Sequence, residues 1–149
     1  MSADLHRTNR VGGVVSLIAL ALCILIFVFR LGGYSEIESI LGILFLLCGV
    51  PFLYLLFLAR AQQRPVIFYI QVSAILFFIL IELSLDYLFR IDFRDVSWMT
   101  VLYVIFFFAG TGGLIGIASL AGKRWGTVAI VLFLIMTFLA FWQRTKTGM

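Results

Sequence analysis

Charge and imidazole are what this sequence has least of. Only 12% of its 149 residues are Asp, Glu, Lys or Arg, and its one histidine, His6, lies in the polar N-terminal stretch. A single histidine cannot supply paired axial haem ligands or a histidine-based zinc site within one chain. The two cysteines, Cys23 and Cys48, sit inside apolar runs and form no Cys-x-x-Cys pair, so they read as structural thiols and not as a redox couple. No cofactor or metal is expected. The net charge of +4 is spread over short breaks with no long basic block, which leaves nucleic acid without a footprint as a partner.

What fills the chain is apolar: 64% of residues are hydrophobic and the mean hydropathy is +1.19. An average soluble domain is about half apolar and about a quarter charged. A soluble fold of this size could not hide so much apolar surface, so lipid is the solvent for most of the chain. The expectation is an all-α polytopic membrane protein, a single transmembrane domain over 1–149 with membrane lipids as its immediate partners.

Five runs are long enough to cross a bilayer at roughly 1.5 Å per residue: 11–29, 40–59, 65–89, 99–121 and 125–142. The first is read as a retained helix, because it is longer than a signal-peptide core and no small-residue cleavage site follows it. Gly32 and Gly33 end it, Ser35 with Glu38 spells a capping box before the second, Pro65 suits the first turn of the third, and Asp95 is placed to cap the fourth. The break at 122–125 is so short that the last two runs must form an antiparallel hairpin. Trp98, Trp125 and Trp142 fall where an aromatic belt would meet the membrane interfaces.

The third run is the informative one. Glu82 interrupts it about 10 Å from its end, inside hydrocarbon, where an acid is expensive and apolar surroundings favour its neutral form. At 100° per residue Gln71, Glu82 and Asp86 share one polar stripe, with Asp86 placed to pair with Arg90 four residues on. Depth matching puts Cys23, Cys48 and Tyr103 near Glu82, together with the Leu47 carbonyl, which Pro51 leaves without a donor as it kinks the second run. Tyr103 or that carbonyl is the expected partner. Two readings stay open: a proton or ligand site, or a neutral hydrogen-bonded acid that fixes helix register.

The fourth run carries Gly112, Gly113 and Gly116, and the Gly112-x-x-x-Gly116 spacing is expected to let another helix backbone approach closely, within the bundle or in a homodimer. Asp92 and Asp95 form a D-x-x-D that could hold Mg²⁺ on a lipid diphosphate, although Arg90 and Arg94 between and beside them favour a self-neutralising loop. In length and span count the chain resembles the translocator-protein family; the likeness is one of architecture and is carried by no motif.

Three functions follow in order of preference. The first is a non-enzymatic integral membrane protein, either a small-ligand or lipid binder or a subunit of a homo-oligomer or larger membrane complex. The second is a proton-linked transporter or channel using Glu82, and the third a lipid-modifying enzyme using Asp92 and Asp95. Six basic residues on the N-terminal side against five on the other, with all acids except Asp4 on that other side, favour a cytoplasmic N-terminus in the cell (inner) membrane. Reporter fusions placed after Arg64 and after Met149 are expected to read opposite sides of the membrane. Two fusions reading the same side would remove the five-span topology.

Overall fold

The computed structural model describes residues 3–90 and 96–147, and among them the chain is all-helical with no strand. Five helical spans are long and apolar enough to cross a membrane: Ala3–Leu31, Ser35–Ala61, Val66–Leu88, Ser97–Leu120 and Lys123–Lys146. The chain is thus a five-span helical bundle of the membrane class. Asp92 and Asp95, and with them the cap expected of Asp95, lie outside the described residues.

The first helix, α1 (Ala3–Leu31), starts eight residues before the apolar run does. Hydropathy marks the hydrocarbon layer, whereas the helix also includes a polar turn in which the Thr8 hydroxyl donates to the Asp4 carbonyl at 2.8 Å. Its 29 residues span about 43 Å, more than the roughly 30 Å of hydrocarbon, so the polar start projects beyond it. The helix stops at Gly33, whose φ of +77° favours glycine; Gly33 N–H donates to Arg30 O and Tyr34 N–H to Phe29 O, a Schellman turn.

The expected capping box does not form. The N-cap of α2 (Ser35–Leu47) is Tyr34, which makes no side-chain cap bond, and Glu38 spends its carboxylate elsewhere. The second span breaks at Cys48, before α3 (Gly49–Ala61). Pro51 accounts for the break: without an N–H it cannot bond the Leu47 carbonyl, and the Cys48 N–H is left shared between Leu44 O and Phe45 O. Another Schellman turn, with Gln63 at φ +47°, leads through Pro65 at the N-cap into α4 (Val66–Glu82), and Gln62 Nε2 ties this corner to Thr8 Oγ1 at 2.8 Å. The span ends in a π-helical turn, Leu83–Leu88, closed by Phe89 N–H to Ser84 O at 2.9 Å. The hairpin of α5 (Ser97–Leu120) and α6 (Lys123–Thr147) turns at Gly122, with φ +141°.

Spans two to five follow one another around α1, which packs on α2, α3, α5 and α6, while α4 lies along α5. The core is apolar, with Leu20, Phe52, Leu55, Ile75, Leu114 and Ile117 fully buried. The outer surface is apolar as well: Phe57 is 81% exposed and Val66 74%, tolerable only against lipid.

Glycines set the close contacts at the end of the bundle nearer α1's start. A Cβ at Gly110 would meet Phe78 at 2.6 Å, one at Gly113 the Gln71 carbonyl at 2.8 Å, and one at Gly116 the Gln71 carboxamide. The α4–α5 seam therefore uses every third residue, 110, 113 and 116, and not the four-residue Gly112-x-x-x-Gly116 spacing. Gly112 is turned about 100° from Gly113, and a Cβ there would meet nothing within 4 Å, so the packing expected of it within the bundle is corrected. Gly116→Leu is expected to overfill the seam and cost on the order of 1 to 3 kcal/mol, whereas Gly112→Leu leaves stability nearly unchanged. Thermal unfolding of the two variants in detergent checks this, and equal destabilisation would contradict the seam.

Candidate ligand site

At the opposite end the bundle is held by polar groups. Arg30 lies in the last turn of α1 and Glu38 in the first turns of α2, and the tight Gly32–Gly33 corner sets them side by side. Arg30 Nε donates to Glu38 Oε1 at 2.6 Å and Nη2 reaches the same oxygen at 2.5 Å. Both side chains are only 24% exposed, so this pair is shielded from bulk solvent more than a surface ion pair is.

Glu82 closes α4 just before the helix widens. Its Oε1 accepts a hydrogen bond from the Tyr103 hydroxyl on α5, one of the two partners expected from depth. Asp86 lies one turn further and its carboxyl faces that of Glu82. The π-helical turn adds about one residue to the winding, so Tyr87, five residues after Glu82, comes round to the same side instead of lying about 140° away as it would in an α-helix. Tyr87 donates to the Ser39 carbonyl at 3.1 Å and passes directly over Gly42, where any Cβ would collide with its hydroxyl.

These groups enclose a cavity of about 280 Å³ whose polar wall comprises Arg30, Glu38, Ser39, Glu82, Asp86 and Tyr87. Formally it sets three carboxylates against one guanidinium. A smaller void of about 40 Å³ lies beneath it, where Cys23, Phe45, Phe78 and Phe107 meet Glu82 and Tyr103. Phe78 and Phe107 stack edge to face with centroids 5.5 Å apart, flooring the polar layer with aromatic rings.

Of the residues singled out from sequence, Glu82, Asp86 and Tyr103 come together. Gln71 does not join them: eleven residues back along the helix, about 16 Å, it packs instead against Gly113 and Gly116. Pro51 acts on the course of the second span. Arg30, Glu38 and Tyr87 are the site residues that sequence reading missed. Arg30 had a signal, since Asn9, Ser16, Cys23 and Arg30 recur every seven residues and so share a helix face, of which the first three are buried. Tyr87 had none, because α-helical periodicity points it away. Among the described residues no group of three His, Cys, Asp or Glu side chains is gathered to hold a metal ion.

The fold and site define a class, a five-span helical membrane protein with a carboxylate-lined cavity at one end. Compared with protein-family models, with curated proteins and with solved structures, the chain matches none.

Removing the Glu82 acceptor tests the polar layer. Glu82→Leu leaves the Tyr103 hydroxyl without its partner and is expected to cost roughly 1 to 3 kcal/mol, whereas Glu82→Gln keeps an acceptor and is expected to be nearly neutral. Thermal unfolding in detergent distinguishes them, and equal stability of the two would mean that the bond does not hold α4 to α5.

Proposed function

We propose that the protein is a non-enzymatic integral membrane protein that binds a small ligand in the cavity between α1, α2 and the end of α4, oriented with its N-terminus in the cytoplasm and resident in the cell membrane. The observation that carries this reading is the cavity itself, which lies between the ends of α1 and α4 and the start of α2 and is lined by the Glu82 carboxyl. A subunit whose only task was packing would have no use for a void lined by charges, which costs desolvation without contributing contacts. The excess of carboxylates over the single guanidinium favours a small cationic ligand, such as a primary amine, over an anion. Nothing in this reading draws on Asp92 or Asp95.

One arrangement favours a second reading, proton-linked transport. Carboxyl groups that face each other, as Glu82 and Asp86 do, either hold a cation between them or share a proton, so ligand entry would displace that proton. Benzylamine, cationic at neutral pH, and benzyl alcohol, its neutral counterpart, separate the possibilities. Benzylamine is expected to raise the unfolding temperature of the purified full chain, benzyl alcohol not to, and the Glu82→Gln/Asp86→Asn double variant to lose the response. A response to both compounds alike, or one that survives the double variant, would overturn binding at this site. Proton release on benzylamine binding in weakly buffered solution supports the transport reading, and binding without release removes it.

A further inference from the structure

A second cavity, of about 260 Å³, lies on the other side of Tyr103, between α1, α5 and α6. We propose that it is a binding site for one acyl chain of an anionic phospholipid, with the headgroup held at its mouth by Arg144. The inference does not rest on the ligand reading of the Glu82 cavity.

The shape of the cleft follows from helix direction. The first and fifth spans run the same way and the fourth runs against them, so the end of α1, the start of α5 and the end of α6 meet at one face of the bundle. Arg30, Thr100, Gln143 and Arg144 form the mouth there, and Phe107 and Phe108 form the floor. From Thr100 to Phe108 is eight residues along α5, a depth of about 12 Å running from the polar edge into hydrocarbon. Between mouth and floor the lining is apolar and largely aromatic, with Phe27, Val104, Ala140 and Phe141.

Charge decides the occupant. Among the described residues no acidic side chain lines this cleft, in contrast to the cavity across Tyr103. Of the two charged side chains that line it among the described residues, Arg30 is paired with Glu38, which leaves Arg144, exposed at the end of α6, as the cation at the mouth. An apolar slot with a cation at its interfacial end complements an amphiphile with an anionic head, and basic residues at a membrane surface favour anionic lipids. The side of the cleft decides which amphiphile. Val104 and Phe141 on its walls are 37% and 61% exposed, so the slot is open sideways to the bilayer, and a phospholipid can insert one chain while its glycerol and second chain stay in the leaflet.

The test is native mass spectrometry of the full chain released from nanodiscs of equal parts phosphatidylglycerol and phosphatidylcholine with identical acyl chains. One phosphatidylglycerol per chain is expected to be retained over phosphatidylcholine, by about fivefold for a single arginine acting near the surface. Arg144→Gln, on an exposed side chain whose loss does not disturb the core, is expected to abolish the preference while leaving some lipid bound. Ala140→Phe, which fills the slot, is expected to remove the bound lipid of either kind, and Glu82→Gln to change neither. Equal retention of the two lipids by the unaltered chain, a preference that survives Arg144→Gln, or a lipid-free dimer in place of a lipid-bound chain would each overturn the proposal. Loss of amine binding in the Glu82→Gln/Asp86→Asn variant with lipid retention intact would separate this site from the other cavity.

Discussion

A guanidinium on the inner face of a transmembrane helix must meet a counter-charge, because an unpaired charge in low dielectric costs several kcal/mol even after relaxation. Arg30 stands in that position, and Glu38, eight residues on, answers it. The answer is possible only if the chain reverses at once after Leu31, which is what Gly33 allows with its positive φ and paired Schellman bonds. Turn and ion pair therefore require each other. With the α1–α2 corner fixed, the first turns of α2 present Ser39 and Gly42 to the end of α4, and the missing side chain at Gly42 is what lets Tyr87 dock.

The two ends of the bundle are held by different physics. Lipid removes the hydrophobic drive between helices, so association must come from close van der Waals packing or from polar bonds. Near the start of α1 it comes mostly from packing, with the Gln62–Thr8 bond beside it: Gly12 fits against Ile117, Gly13 against Trp125, and Gly113 and Gly116 against Gln71, with no room for a Cβ in most of these contacts. Near the end of α1 it comes from polar bonds, Arg30 to Glu38, Tyr103 to Glu82 and Tyr87 to Ser39. Long polar side chains reach across gaps that glycine contacts close.

Much of the fold was legible because bilayer thickness imposes span length directly on hydropathy. Five spans, the Pro51 break and the tight last hairpin could all be read from the residues, whereas the start of the first helix and the end of the last could not, since these helices continue past the hydrocarbon where hydropathy is silent. The site was half legible. Glu82 stood out as an acid among apolar residues, and depth left two partners for it, Tyr103 and the Leu47 carbonyl, of which Tyr103 makes the bond. Arg30 and Glu38 looked like loop charge and a capping residue because their meaning is tertiary, set by the corner between them. Gly112 misled because the small-xxx-small pattern specifies a close approach without fixing which three- or four-residue ridge makes it.

Arg30 lines both cavities, and Tyr103 links them a second time, since it lines the apolar cleft and bonds Glu82 in the wall of the other. Its hydroxyl is bonded to Glu82 on one side, while its ring lines the wall of the apolar cleft on the other and packs beside Phe107 and Phe78. A ring wedged between aromatic neighbours cannot turn without repacking them, and turning it would withdraw the donor from Glu82. An occupant of the cleft that holds the ring in place therefore also holds the donor on Glu82. The two cavities are thus separate in chemistry, one rich in carboxylates and one with Arg144 at its mouth, and they meet at the Arg30 side chain and the Tyr103–Glu82 bond.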